Sequence, residues 1–528
     1  MSNWPRSRGK VEMFVLLLAL AISATSAGDF PLEATGHDSR IDLVWRIPAS
    51  LEADGFQIER RTDSSAIFTA QNSRPHPHHV WSDFLGTNGI RFTYRVIATQ
   101  GAHPMATSEM ASAISRAMSD EELLTSVQQA TFRYFWDYAH PVSGLARERT
   151  GSGDTVTSGG SGFGLMALVV GTERGFVARN EAAGRVKTML AFLQDKTDRY
   201  HGAWPHWLNG RTGRTIPFSR FDDGGDLVET SFLAQGLLTA RRFFDRTTPV
   251  EEEIRRRATA MWESIEWDWY LGPTNGPRLY WHWSPTNGWK MNHTIGGHFN
   301  ECLITYLLAI ASPTHPIPAS CYEQGWVGKP TTNYVNGRDY FGIRQPVGWP
   351  MGGPLFFTHY SFLGFDPRDW RDRWCNYFEN NQAIARIHHA YAVANPAHHR
   401  GYGANVWGLT ACDGPDGYSA HDPQHDKGTV APTAAISSMP YTPAESMAAL
   451  RHYYHVLGPR LWGEFGFKDA FNLDRDWFAA SYLAIDQGPI VVMIENHRSA
   501  QCWRLFMANR EIGRALVAMG WRREPAAQ

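Results

Sequence analysis

Cysteine is scarce and unpatterned in this chain. Its 528 residues hold five (Cys302, Cys321, Cys375, Cys412 and Cys502). None falls in a Cys-x-x-Cys spacing, which removes the commonest zinc and dithiol motifs, and an odd count leaves at least one thiol free. Charge is sparse too. Asp, Glu, Lys and Arg make up 19% of residues with a formal net charge of −2, so no field draws the chain to nucleic acid or an anionic membrane. No phosphate cradle is present: "GSGFG" at Gly160–Gly164 lacks both a preceding strand and a phosphate-binding Lys. "GGSGFG" fails as a nucleophile elbow by its spacing. The histidines of "HPHH" (His76–His79) and the pairs His388–His389 and His398–His399 read as surface-loop residues. No metal and no cofactor is expected.

Long apolar runs are missing as well. The longest, Met13–Ile22, is shorter than the roughly 20 residues that span a bilayer. It follows Arg6, Arg8 and Lys10 and precedes the small residues Thr25, Ser26 and Ala27, the layout of an export signal over residues 1–27. An exported protein without a membrane span, periplasmic or extracellular, is therefore expected, working as a monomer.

What the chain has in excess is aromatic: 21 Trp, 19 Tyr and 28 Phe. Core packing accounts for many, but Trp beside His, Asn and Pro suits a groove lining. Residues 29–116 alternate with period 2 (Ile41, Leu43, Trp45; Phe56, Ile58; Phe92, Tyr94, Val96), as in short half-buried strands. A small β-sandwich of fibronectin type III kind is expected. From Ser119, whose capping box with Glu122 opens a helix, residues 118–515 turn helical. Helices are expected over 162–173, 181–196, 226–244, 251–262, 298–311, 371–394, 442–457 and 477–483, with residues 516–528 as a loose tail. About ten helices with long aromatic loops suggest helix pairs closed into an α/α toroid, although a solenoid has the same signature.

Carboxylates gather where helices begin. "FDDGGDLVETSFLAQGLL" carries Asp222, Asp226 and Glu229 just ahead of a strongly apolar run. One such acid caps a helix and favours its dipole, but a single cap explains one residue. The set fits a cleft for a neutral polar substrate; a calcium loop or plain solvated acids remain open alternatives. "WKMNHTIGGHFNECLITYLLAI" repeats the arrangement with His298, Asn300 and Glu301. A Glu beside apolar packing loses hydration, keeps its proton near neutral pH, and can serve as a general acid. A further acid, Asp486, sits in the Gly/Pro-containing "LAIDQGPIVVMIENHRS", near Glu495. Asp413 and Glu445 are rivals better explained as turn and helix-start residues. Trp204, His206 and Trp207 in "AWPHWLNG", and Trp281, His282 and Trp283 in "LYWHWSP", pair flat faces with hydrogen-bonding neighbours, as a sugar ring requires.

Together, "TSGGSGFGLMALVVGTERGF", "HGAWPHWLNGRTG", the two carboxylate motifs and "AIDQGPIVVMIENHRS" resemble the glycoamylase-like bacterial proteins of glycoside hydrolase family 144. The resemblance spans residues 121–512. It implies an (α/α)6 barrel, a linear β-1,2-glucan as substrate and inverting, endo-type hydrolysis. Carried onto this sequence, it puts the general acid at Glu301, the base at Asp486 and an acidic pocket at Asp222, Asp226 and Glu229. Asn292, His298 and Asn300, within the matching motif, join Trp204, His206, Trp207, Trp281 and Trp283 as expected substrate contacts. Other toroid glycosidases, such as α-glucosidases, and a non-catalytic glucan-binding protein are the alternatives.

Overall fold

The computed structural model describes residues 28–101 and 103–524. The expected export signal and residues 525–528 lie outside these. The chain divides into two units, residues 1–117 and 118–528.

In the first unit β1 (Leu32–His37), β2 (Arg40–Trp45) and β5 (Val80–Phe84) form one antiparallel sheet. The second sheet holds β4 (Thr69–Ala70), β3 (Gly55–Thr62), β6 (Arg91–Gln100) and β7 (His103–Thr107), with β8 (Ala111–Ile114) also pairing β6. The period-2 pattern points inward as expected: Ile41, Leu43, Trp45, Phe56, Ile58, Phe92, Tyr94 and Val96 share one core. The Tyr94 hydroxyl donates to Asp83 at 2.8 Å, and Asp83 also receives Arg60 at 2.6 Å, so this buried carboxylate is matched.

The second unit is helical. Its helices are α1 (Asp120–Trp136), α2 (Ser158–Glu173), α3 (Arg179–Asp195), α4 (Leu227–Phe243), α5 (Pro249–Glu263), α6 (Leu303–Ala311), α7 (Tyr377–Ala394), α8 (Pro432–Ile436), α9 (Pro443–His455), α10 (Gly458–Leu461), α11 (Ala484–Ser499), α12 (Gln501–Met507) and α13 (Arg510–Ala518). The Ser119–Glu122 capping box opens α1. Residues 227–240 of α4 and 158–171 of α2 are buried without a break, which places both helices inside the unit rather than on its rim. α2 packs on α4 and α11, α4 on α6, and α11 on α8. A pair of short 3-10 turns, Leu355–Thr358 and Tyr360–Phe362, stands between α6 and α8. Ile304 N donates to Ser361 Oγ at 3.0 Å on one side, and His359 Nε2 meets Ser438 Oγ at 3.0 Å on the other. Outside these elements α1 lies on α11, α3 and α5 on one another and on α2 and α4, α13 on α6, and α9 on α8.

The "GGSGFG" glycines act in this packing. A Cβ on Gly162 would sit 2.2 Å from the Phe232 carbonyl oxygen, and one on Gly236 would sit 2.2 Å from that of Gly162. Only glycine at both positions lets the two backbones approach this closely.

Several expectations need correction. Residues 477–483 form no helix; Trp477–Phe478 pairs instead with Phe471–Asn472. The helix is α11, which the dipeptide Gly488-Pro489 disguised as a turn although Pro489 lies inside it. Gly488 is there because its Cβ would stand 2.5 Å from Phe163. The helix expected from residue 298 starts at Leu303. In the expected tail, α13 runs to Ala518, Trp521 is buried, and Arg522–Arg523 pairs with Trp370–Arg371. His388, read as a surface residue, is buried and bonded to the Gly353 carbonyl at 2.8 Å. All five cysteines are buried and unpaired. Among the described residues no helix is long and apolar enough to cross a membrane.

Candidate active site

Short ladders beside the helix ends bring the acidic and aromatic motifs together. Gly225–Asp226 pairs with His282–Trp283, in register Asp226↔His282. Trp207–Asn209 pairs with Thr155–Thr157 just ahead of α2. Asp226 is the N-cap of α4: its Oδ1 accepts from Val228 N at 3.0 Å and Glu229 N at 2.9 Å. Asp222 lies in the turn before it, so the acids converge at the helix mouth and not along a helix face.

Two imidazoles bridge these acids. His206 Nδ1 lies 3.0 Å from Asp226 Oδ2 and 3.9 Å from Asp222 Oδ2; His282 Nε2 lies 3.2 Å from Asp222 Oδ2 and 3.5 Å from Asp226 Oδ2. Burial opposes charge on His206, but Glu229, Asp226 and Asp222 outweigh it and push its pKa up to about 9. Burial likewise opposes charge on His282, and its bonds to Asp222 and Asp226 push it up to about 9. Burial alone would raise Asp226, yet the same two histidines hold it well below the usual carboxylate range. The ligand-type atoms of His206, Asp222 and Asp226 lie within 4.8 Å of one another, close enough to grip a cation. His206 and His282 act as counter-charges to these acids, and a cation there would have to displace the His206 proton.

Glu229 is held one turn further in. Its Oε2 accepts from Gly159 N at 2.9 Å and Thr157 Oγ1 at 3.1 Å. Gly159 is glycine because a Cβ would come within 2.3 Å of that oxygen. Burial raises the Glu229 pKa and Asp226 adds to it, against the pull of His206.

Glu301 sits in the turn just before α6 and is 8% exposed. Its own carbonyl accepts from Ser361 Oγ, and Asn300 Oδ1 accepts from Cys302 N at 3.0 Å, fixing the turn. Burial pushes the Glu301 carboxyl up to about 7, with Glu229 adding to the shift. Its Oε2 has no hydrogen-bond partner among the described residues.

Asp486 is in the first turn of α11 and is 2% exposed, where the helix dipole favours an anion. Thr433 Oγ1, on α8, donates to the Asp486 carbonyl at 2.8 Å. A second buried acid, Asp469, couples to it. Burial raises both carboxyls; Asp469 further opposes ionisation of Asp486, while Asp413 adds to the rise of Asp469. Asp469 Oδ2 accepts from Asp413 N at 2.6 Å, and Asp413 is bound by Arg149 Nη1 at 3.0 Å and Ser481 Oγ at 2.5 Å. Nothing in the isolated "FKDAF" marked Asp469. Glu495, by contrast, is a structural anchor, clamped by Arg174 at 2.7 and 2.8 Å.

Tyr360 joins the two sides. Its ring packs on Phe163 of α2 at 5.3 Å and Phe232 of α4 at 5.6 Å. Burial holds the hydroxyl neutral, and Asp486, Tyr418, Glu229 and Glu301 all add to that effect. Nothing in the sequence singled out Tyr360.

The aromatic expectations divide. His206 stacks on Phe218 at 4.2 Å, and Trp207 meets the same ring edge-on at 4.8 Å; both stay partly open beside the acids. Trp204 does not: it is wholly buried, with its Nε1–H donating to Thr197 Oγ1 at 2.9 Å and the Arg199 guanidinium 4.0 Å from its centroid. Both of its faces are used in packing. Strand alternation aims His282 at the acids and turns Trp283 toward Tyr200 and His201. Trp281 stacks on His293 at 4.9 Å. His298 stacks on Trp349 at 4.4 Å, and Asn292 occupies an exposed left-handed turn position (φ 50°).

Residues 292–510 match the Glycoamylase family model. The exo β-1,2-glucooligosaccharide sophorohydrolase (non-reducing end) of Parabacteroides distasonis is 42% identical over 95% of this chain and 72% of its own. The crystal structure of β-1,2-glucanase from Parabacteroides distasonis superposes with a TM-score of 0.89 and 42% identity, covering 94% of this chain and 74% of that one. The endo-β-1,2-glucanase of Chitinophaga pinensis, solved with sophorotriose and glucose, gives a TM-score of 0.74 and 45% identity over 77% of this chain and 99% of its own. With the carboxyl cluster carried on such a scaffold, the chain belongs to the glycoamylase-like proteins of glycoside hydrolase family 144.

Proposed function

We propose that the protein hydrolyses β-1,2-glucan by single-displacement inversion, with Glu301 as general acid and Asp486 as general base. The observation that carries this reading is Glu301 itself. It is a buried carboxyl with an unpartnered oxygen whose pKa, about 7, keeps a large share protonated at neutral pH. Glu301 gives its proton to the glycosidic oxygen as the C1–O bond breaks. Asp486 takes a proton from the water that attacks C1 on the opposite face. The carboxyls then stand roughly 6.5–9.5 Å apart, leaving room for that water. Asp486 serves as base only when ionised, which burial and Asp469 oppose, so the base form grows on the alkaline side of the profile. Asp222, Asp226 and Glu229 bind hydroxyls beside the reacting ring, with Trp207 and His206 at its edge.

The contact order α2–α4–α6, through residues 355–362 to α8, α11 and back to α2 supports an (α/α)6 toroid with the carboxyls at its mouth. The two facing antiparallel sheets of the first unit support a fibronectin type III-like module. We further propose export and a monomeric enzyme. On mode of attack, the endo expectation has the Chitinophaga relative behind it. The Parabacteroides relative, an exo sophorohydrolase, matches across 95% of the chain where the endo enzyme matches 77%. That broader likeness favours release of sophorose from the non-reducing end as a second reading.

Incubation with linear β-1,2-glucan, laminarin and starch tests the proposal. Reducing ends should appear from β-1,2-glucan alone; a ladder of products marks endo attack, and sophorose only marks exo. Release from starch alone rejects the substrate, and binding without release rejects the hydrolase.

A further inference from the structure

A cavity of about 260 Å³ is walled by the segment that follows Asp413, whose N–H donates to Asp469 Oδ2 at 2.6 Å, and no part of the mechanism above uses it. Its walls come from the turn Gly414–Tyr418, from His421, Lys427 and Thr429, and from Asn472, Asp474 and Arg475. Each wall is tied to the acidic pair. Thr429–Val430 leads into α8, whose Thr433 donates to the Asp486 carbonyl at 2.8 Å. Asn472 lies three residues after Asp469. Tyr418 is 48% exposed, yet its hydroxyl is strongly desolvated and feels Asp486 and Asp469. Tyr418 therefore presents an exposed ring to the cavity.

The cavity's polar groups divide into used and unused. Asn472 donates to the Lys427 carbonyl and to Thr429 Oγ1, and Asp474 is bound by His399 and Arg400 N at 2.7 Å each. The imidazole of His421 is otherwise: it is 2% exposed, neither ring nitrogen makes a well-formed hydrogen bond among the described residues, and the His425 backbone only weakly favours its charged form. A buried polar ring left unpaired is costly, so its position makes sense where a ligand meets it. Burial and the nearby Lys427 keep His421 neutral, able to donate from one nitrogen and accept at the other. Lys427 is exposed at the rim, where Arg475 and Asp416 stand 3.6 Å apart. The opposed rim charges disfavour an anion. Donor, acceptor and a flat aromatic face together match the hydroxyls and C–H face of a sugar. The volume is below the roughly 300–1,000 Å³ of drug-sized sites, which limits the occupant to about one ring.

We propose that this cavity is a subsite for one further pyranose unit of the glucan chain, with Tyr418 as its platform and His421 and Lys427 as ligands to its hydroxyls. The proposal rests on the reading of the neighbouring carboxyls as a β-1,2-glucan hydrolase. A unit bound here engages only substrates long enough to reach from the scissile bond past Tyr418, so the subsite selects for chain length.

The test compares kcat/KM for the shortest β-1,2-glucooligosaccharide the full-length protein cleaves with that for one several units longer. In Lys427→Met, an exposed position where folding is not at stake, the long-to-short ratio should fall about tenfold, the cost of about one hydrogen bond to a charged donor. His421→Gln should lower the same ratio. A ratio unchanged from the unaltered protein in Lys427→Met, or equal losses at both lengths, overturns the subsite. Absence of turnover at every length in the unaltered protein is a different result: it removes the hydrolase reading itself and this proposal with it. Crystals of Glu301→Gln soaked in the longer oligosaccharide should show a sugar ring against His421; water alone there, with sugar bound beside Glu301, also overturns it.

Discussion

Replacing Glu301 by Gln separates its chemical role from its structural one. The amide keeps the shape of the acid and loses the proton. General acid catalysis contributes about 10²–10⁴ in rate, so kcat on β-1,2-glucan should fall by that factor while KM changes little. The same group leaves a mark on stability. Its folded pKa is raised from 4.5 to about 7, so the unfolded chain releases this proton first as pH rises. Stability is full below about 4.5, declines as pH climbs through about 7, and stays lower above it; at 1.36 kcal/mol per pH unit the loss is about 3 kcal/mol. Gln carries no such penalty. Reducing-end assays between about pH 4 and 9, with urea unfolding at about pH 4 and 8.5, read both effects. The variant should gain about 3 kcal/mol relative to the parent between those two pH values while turning over slowly at every pH. Near-normal turnover would refute the acid assignment. A stability difference that does not move with pH would refute the burial argument beneath it.

Asp469→Asn replaces an acid that opposes ionisation of Asp486 with a neutral donor, so the acidic limb of the kcat/KM profile should move to lower pH; an unmoved limb separates Asp469 from the reaction. Trp204→Ala should destabilise the fold by about 3–5 kcal/mol without raising KM, measured by denaturation and kinetics. Trp207→Ala should raise KM with little change in stability; the reverse result would exchange the roles assigned to these rings. His206 and His282, both raised to about 9, stabilise the Asp222–Asp226 turn in their charged forms. That contribution is fully present below about 6.5 and is lost as pH rises through about 9. Thermal unfolding should show the loss, and His282→Gln should remove about half of the dependence in that window, His206 keeping the rest.

The β unit was legible because every second side chain of its strands faces one core, and alternation is a local signal. Helix identity was legible wherever apolar runs were long, as in α2 and α4. It failed at α11, where Gly488 serves contact with Phe163 and Pro489 sits inside a packed helix, so tertiary fit overrode the local turn signal. Glu301 and the Asp222–Glu229 cluster could be found because acids beside apolar runs need an explanation. Asp469 and Tyr360 could not: each is an ordinary residue in its own segment, and its neighbours at the site come from distant parts of the chain. Trp204 and Trp207 stand three residues apart in the same motif, and only the Arg199 and Thr197 contacts separate core from cleft.

The central claim is that Glu301 and Asp486 act from opposite sides of the scissile bond in one displacement. Proton NMR of the sugar released in the first moments of β-1,2-glucan hydrolysis tests it directly, before mutarotation scrambles the anomers. The account predicts that the α-anomer appears first. First appearance of the β-anomer would contradict it, because retention requires a covalent intermediate and a carboxyl placed close enough to form one.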